Sequence, residues 1–88
     1  MIRKRIVFTG RVQGVGFRWR ARQAAGLYGC TGWCRNDWDG SVTMEIQGTE
    51  KAIDKVIQSI EAGRYVWIQN MDVTPLYPDP DEQGFKTE

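Results

Sequence analysis

Histidine is absent from the 88-residue sequence, and cysteine occurs twice, as Cys30 and Cys34. The first absence removes the side chain whose ordinary pKa best suits proton transfer near neutrality, so any acid–base chemistry must use other groups. Together the two scarcities exclude the Cys/His ligand sets of common zinc sites. An extended segment between the cysteines advances by roughly 3.3 Å per residue, which carries them beyond disulfide reach, and two buried reduced thiols are expected. No acidic residue precedes Asp37, whereas Arg3, Lys4, Arg5, Arg11, Arg18, Arg20, Arg22 and Arg35 make the same stretch cationic. The formal net charge is nevertheless only +1, which argues against a nucleic-acid partner while leaving a local pull on a small anion. No apolar run is long enough to span a membrane, and MIRKRIVF is too short in its apolar part for a secretory signal. A cytoplasmic protein without a membrane partner is expected. The length suits one domain over residues 1–88, too small for two cores.

What is present centres on GRVQGVGFR, Gly10 to Arg18. Gly14 and Gly16 can adopt positive φ, so backbone N–H groups from Gln13 onward can converge on one small ligand. The loop leads into a helix-like run, placing those amides at a helix N-terminus where orphan donors and the macrodipole favour negative charge. Arg18 adds a permanently charged fork of donors suited to phosphate. Two glycines and an arginine at such a junction most often make only a tight connection, and the better-known glycine motifs are incomplete. Trp19 follows Arg18, so GxGxxG lacks its third glycine, and no GK[ST] completes a Walker loop.

Strand signals cover Arg3 to Val12, with Gly10 suited to a bulge or close backbone approach. Phe17, Ala21, Ala24, Ala25 and Tyr28 form an apolar stripe at helical spacing, Gly29 is placed to cap that helix, and Trp19 belongs either in the core, which is the expectation, or beside the glycine loop. Thr31 to Arg35 is a short strand leaving through Asn36, Asp37, Asp39 and Gly40. Ser41 to Gln47 alternates, Val42, Met44 and Ile46 facing one side, and should form a half-buried hairpin partner. Thr49 is an N-cap for an amphipathic helix carrying Ile53, Val56, Ile57 and Ile60, closed by Gly63. Tyr65 to Val73 is predicted as a strand, Pro75 to Asp81 as an irregular segment, and Gly84 to Thr87 as a last edge strand through Phe85. The order predicts an α+β fold: a ferredoxin-like βαββαβ sandwich with two helices on one face of an antiparallel sheet.

GRVQGVGFR followed by GWCRNDWDGSVTMEIQG, Gly32 to Gly48, resembles the two signature segments of the acylphosphatase family, and the resemblance extends over essentially the whole chain. It implies a free-standing hydrolase of the carboxyl-phosphate bond in acyl phosphates such as acetyl phosphate, carbamoyl phosphate or 1,3-bisphosphoglycerate, working without metal or organic cofactor. By this likeness Gln13, Gly14, Val15, Gly16, Phe17 and Arg18 would cradle the phosphate, Arg18 would grip it, and Asn36 would orient the attacking water. The partners implied are a small acyl phosphate and inorganic phosphate, with the enzyme expected as a monomer. By the same likeness Cys34 stands where the family often has a small apolar residue, and Trp38 at a variable turn position. Three other readings compete: a phosphate-sensing module, which would not require Asn36; a carbamoyl-phosphate-processing unit like the acylphosphatase domain of hydrogenase maturation proteins, less expected than a free-standing enzyme; and single-stranded RNA binding through Trp33, Tyr65 or Trp67, which lacks the RNP aromatic signature.

Overall fold

Alternation along the strands places the core. In the computed structural model, which describes Met1 to Glu88, Ile6 and Phe8 of β1 (Ile2–Arg11) pair in register with Met44 and Val42 of β3 (Val42–Gly48). All four are fully buried. Over this face lie α1 (Phe17–Tyr28), presenting Phe17, Ala21, Ala24 and Ala25, and α2 (Glu50–Glu61), presenting Ile53, Val56, Ile57 and Ile60. Phe8 and Phe17 meet edge to face, ring centroids 4.9 Å apart. Each such ring, fully buried, contributes about 1.5–3 kcal/mol, and this contact anchors the first turn of α1 to the sheet. The remaining strands are β2 (Thr31–Asn36), β4 (Trp67–Leu76) and β5 (Phe85–Thr87). The sheet order is β4-β1-β3-β2-β5, antiparallel throughout except for the β2/β5 pair. The chain therefore follows the expected βαββαβ plan with one short strand added. No helix is long and apolar enough to cross a membrane.

Local signals hold at several ends. Gly29 caps α1 in a left-handed conformation, its N–H bonded to the Ala25 carbonyl, and the Thr49 hydroxyl accepts the Ala52 amide at 3.1 Å. Gly10 combines a bulge with a close approach. The β1/β4 register shifts between Thr9 and Gly10, whose φ is 120°, and a Cβ there would stand 2.4 Å from the Trp67 carbonyl oxygen. Both cysteines are buried and unbridged.

Other elements depart from expectation. Tyr65 lies in the turn after α2, and β4 runs from Trp67 through Pro75 to Leu76. Proline is tolerated because β4 is an edge strand, where a missing N–H costs no partner. Ala62, not Gly63, caps α2. Trp19, expected in the core, is 65% exposed, because Phe17 and Ala21 on either side of it take the buried face of α1.

The largest departure is β3, which is buried on both faces. Thr43, Glu45 and Gln47 point away from the helices yet are less than a tenth exposed. The proline-containing segment after β4 reaches Gln47 directly and Glu45 through Arg3, while Thr43 bonds Asp37. The Gln47 carboxamide donates to the Asp79 carbonyl at 2.8 Å and accepts the Asp79 amide at 2.7 Å, pairing with that peptide as a strand neighbour would. Arg3, itself buried, bridges Glu45 at 3.0 Å and Glu82 at 2.7 Å, while Arg5 holds the other Glu45 oxygen at 2.8 Å. Burial alone would push the Glu45 carboxyl up, but its bonds from Arg5 and Arg3 outweigh that and hold it below its ordinary range. A carboxylate whose folded pKa is depressed contributes stability above its unfolded pKa of about 4.3, which is lost as pH falls through the lower folded value. Arg3→Met should remove about 3 kcal/mol of unfolding free energy at neutral pH, because Glu45 and Glu82 keep their burial and lose a partner. Urea unfolding checks this; a loss within experimental error of zero would mean that the bridge contributes nothing net.

Candidate active site

Between β1 and α1 the chain turns through Gly14 and Gly16, with φ of 71° and 83°. A Cβ added at either would meet nothing within 4 Å, so the left-handed backbone, not crowding, calls for glycine there. Gly16 is the N-cap of α1 and supplies no side-chain cap hydrogen bond. The first-turn amides of a helix have no intrahelical acceptor, and here they stand at a glycine turn beside a cavity. That cavity, about 180 Å³, is lined by Val12, Gly14, Gly16, Phe17, Arg18, Trp19 and Asn36. The topology explains the meeting: β1 leads into the loop, and Asn36 ends β2 across the intervening β3.

Arg18 is partly buried, and its Nη1 donates to the backbone carbonyl of Glu88 at 2.8 Å. One guanidinium nitrogen is thus tethered, and the planar fork is held in a defined orientation with further donors to spare. Beneath it the Cys34 thiol is fully buried. Burial pushes it up to about 12, a rise that Arg18 opposes and Glu88 reinforces. It stays protonated near neutrality, which disqualifies it as a nucleophile.

Asn36 is exposed at the end of β2, and no side-chain hydrogen bond within the protein occupies its carboxamide. The common role of a turn asparagine, bonding its own backbone, does not account for it. The turn is held instead by Asp37, whose carboxylate accepts bonds from Arg35 Nε at 3.1 Å, Ser41 Oγ at 3.1 Å and Thr43 Oγ1 at 2.5 Å. The Thr43 bond is the largest influence in lowering the Asp37 pKa, so the group remains ionised.

Of the residues expected in the cradle, Gly14, Gly16, Phe17 and Arg18 line the cavity together with Asn36. Val15 packs partly buried against the core. The Gln13 side chain turns to the β2/β3 turn, where Nε2 donates to the carbonyls of Asp37 at 2.7 Å and Ser41 at 2.8 Å. It pins the turn bearing Asn36 to the loop bearing Arg18. Sequence reasoning missed this tie, the Asp37 network and Val12 in the lining, and it preferred the core for Trp19 over the place beside the loop that the structure gives it. Ser41 and Thr43, alternate residues beside a turn aspartate, were the available signal for the network.

The cavity thus brings the glycine turn and Arg18 together with an Asn36 carboxamide that has no partner within the protein, and comparison with known proteins gives the family of the chain. The sequence model of the acylphosphatase family matches residues 4–87. The chain belongs to the acylphosphatase family. It is similar to an acylphosphatase of Geobacillus kaustophilus (strain HTA426), 39% identical over 87 residues, covering 98% of this chain and 93% of that protein. An acylphosphatase of Oceanobacillus iheyensis is 40% identical over 79 residues, covering 88% of this chain and 87% of the other. Among solved structures, the acylphosphatase from Bacillus subtilis superposes with a TM-score of 0.89 at 29% identity, covering 100% of this chain and 99% of that one. The chain is accordingly an acylphosphatase enzyme with the ferredoxin-like fold. Both signature segments of this acylphosphatase meet at one cavity, although most of α1 separates them in sequence.

Proposed function

We propose that the enzyme seats the phosphoryl group of an acyl phosphate on the loop from Gln13 to Arg18, grips it through Arg18, and directs a water at phosphorus through Asn36. The observation carrying this reading is the single cavity shared by Gly14, Gly16, Arg18 and Asn36. An acyl phosphate already contains a good leaving group, so catalysis reduces to positioning and to stabilising charge on the phosphoryl oxygens. The water oxygen bonds to phosphorus as the bond from phosphorus to the acyl oxygen breaks, and that bond's electron pair leaves on the carboxylate. No carboxylate lines the cavity and the chain has no histidine, so a phosphoryl oxygen accepts the water proton. The products are a carboxylate and inorganic phosphate.

In the same reading residues 1–88 act as one domain and as a monomer. The enzyme works in the cytoplasm on a small molecule without nucleic acid. The low net charge supports the absence of a nucleic-acid partner. The test is hydrolysis of benzoyl phosphate by purified protein in EDTA. Rapid release of benzoate and phosphate is expected. Binding of inorganic phosphate without any turnover would replace the hydrolase reading with that of a phosphate-sensing module.

A further inference from the structure

Trp19 lies two residues after Phe17, roughly 200° around the helix from it, and faces solvent at the mouth of the cradle. It also lines a second, wider cavity of about 350 Å³ between α1 and α2, with Arg20, Gln23, Ala24, Leu27 and Ser59. Trp19 is the one residue common to both. The groove is floored by Ala24, carries the 75% exposed Leu27 farther along α1, and is bridged where Arg20 Nη1 donates to the Ser59 carbonyl at 3.4 Å. No carboxylate lines either space.

In-line displacement sets the leaving acyl group opposite the attacking water. Asn36, which would hold that water, enters the cradle from the sheet, while Trp19 enters from the helix side and continues outward. We infer that the α1/α2 groove receives the acyl portion of the substrate, and that Trp19 is a specificity-determining residue favouring planar, apolar acyl groups over acetyl. This inference rests on the hydrolase reading above and adds to it a contact for the non-phosphate end. An indole face left open to solvent gains by covering an aromatic acyl group, and an acetyl group is too small to cover it.

The test compares kcat/KM for benzoyl phosphate and acetyl phosphate in wild type, Trp19→Ala and Trp19→Phe. Trp19→Ala should lower the benzoyl-to-acetyl ratio about 10-fold, chiefly through KM for benzoyl phosphate, the size expected for losing one apolar contact surface. Trp19→Phe should restore most of the ratio. Inhibition by inorganic phosphate, which has no acyl group, should weaken far less than benzoyl phosphate binding. Because the side chain is mostly exposed, its removal leaves the core intact. A ratio that Trp19→Ala leaves unmoved, with wild type turning over both substrates, would overturn this inference alone. A wild type that hydrolyses neither would overturn the hydrolase reading with it.

Discussion

Arg18→Ala should cut kcat/KM for benzoyl phosphate by about a thousandfold, with losses in both kcat and KM, in line with removal of an arginine that stabilises a transferring phosphoryl group. The guanidinium sits in the first turn of α1, beside amides that have no intrahelical acceptor, and is the one cation lining the cavity. Removing it weakens ground-state binding of a dianion and leaves charge on the equatorial oxygens less compensated as the bond to the acyl oxygen lengthens. Arg18→Lys should recover part of the binding and little of kcat, since an ammonium restores charge without the planar fork. The bond from Nη1 to the Glu88 carbonyl is also lost, so unfolding should be measured alongside; its loss should cost about 1 kcal/mol, too little to unfold the domain. Wild-type kinetics in Arg18→Ala would show that the loop amides alone suffice and that the grip assigned to Arg18 is wrong.

Asn36→Ala should behave differently. Turnover should fall about 100-fold while inhibition by inorganic phosphate stays close to wild type, as for loss of one pre-organised polar contact used in the transition state. Stability should hardly change. The Asn36 carboxamide supports no other part of the chain, and the turn that carries it is secured by Asp37, Ser41, Thr43 and Gln13. That separation makes the experiment clean. If KM rose while kcat held, Asn36 would be binding substrate rather than orienting water, and a kcat equal to wild type would remove it from the mechanism.

The inner half of the fold was legible because it is written in periods. Ile6 with Phe8, Val42 with Met44 and Ile46, and the stripe from Ile53 to Ile60 each repeat at the spacing of their element. The outer half was not. Glu45 and Gln47 look like solvent-facing residues of an alternating strand, and only tertiary pairing with Arg3, Arg5 and the peptide of Asp79 shows that they are covered. Trp19 was placed in the core for a related reason: its bulk suggested burial, whereas its angle on α1, roughly opposite Phe17 and Ala21, sets it at the rim. In the site, the glycine turn and Arg18 were visible as a local pattern, and Asn36 stood out only through its place in a longer signature. The Gln13 tie joins residues far apart in sequence, with no periodicity to betray it.

That tie also bears on timing. Gln13 grips two carbonyls of the turn across from it, so the halves of the cradle are fastened before a ligand arrives. An enzyme assembled in this way spends no part of its cycle waiting for a lid to shut or reopen. On the reading proposed above, its cadence would be set by how fast substrate diffuses in, how fast water attacks, and how readily phosphate leaves.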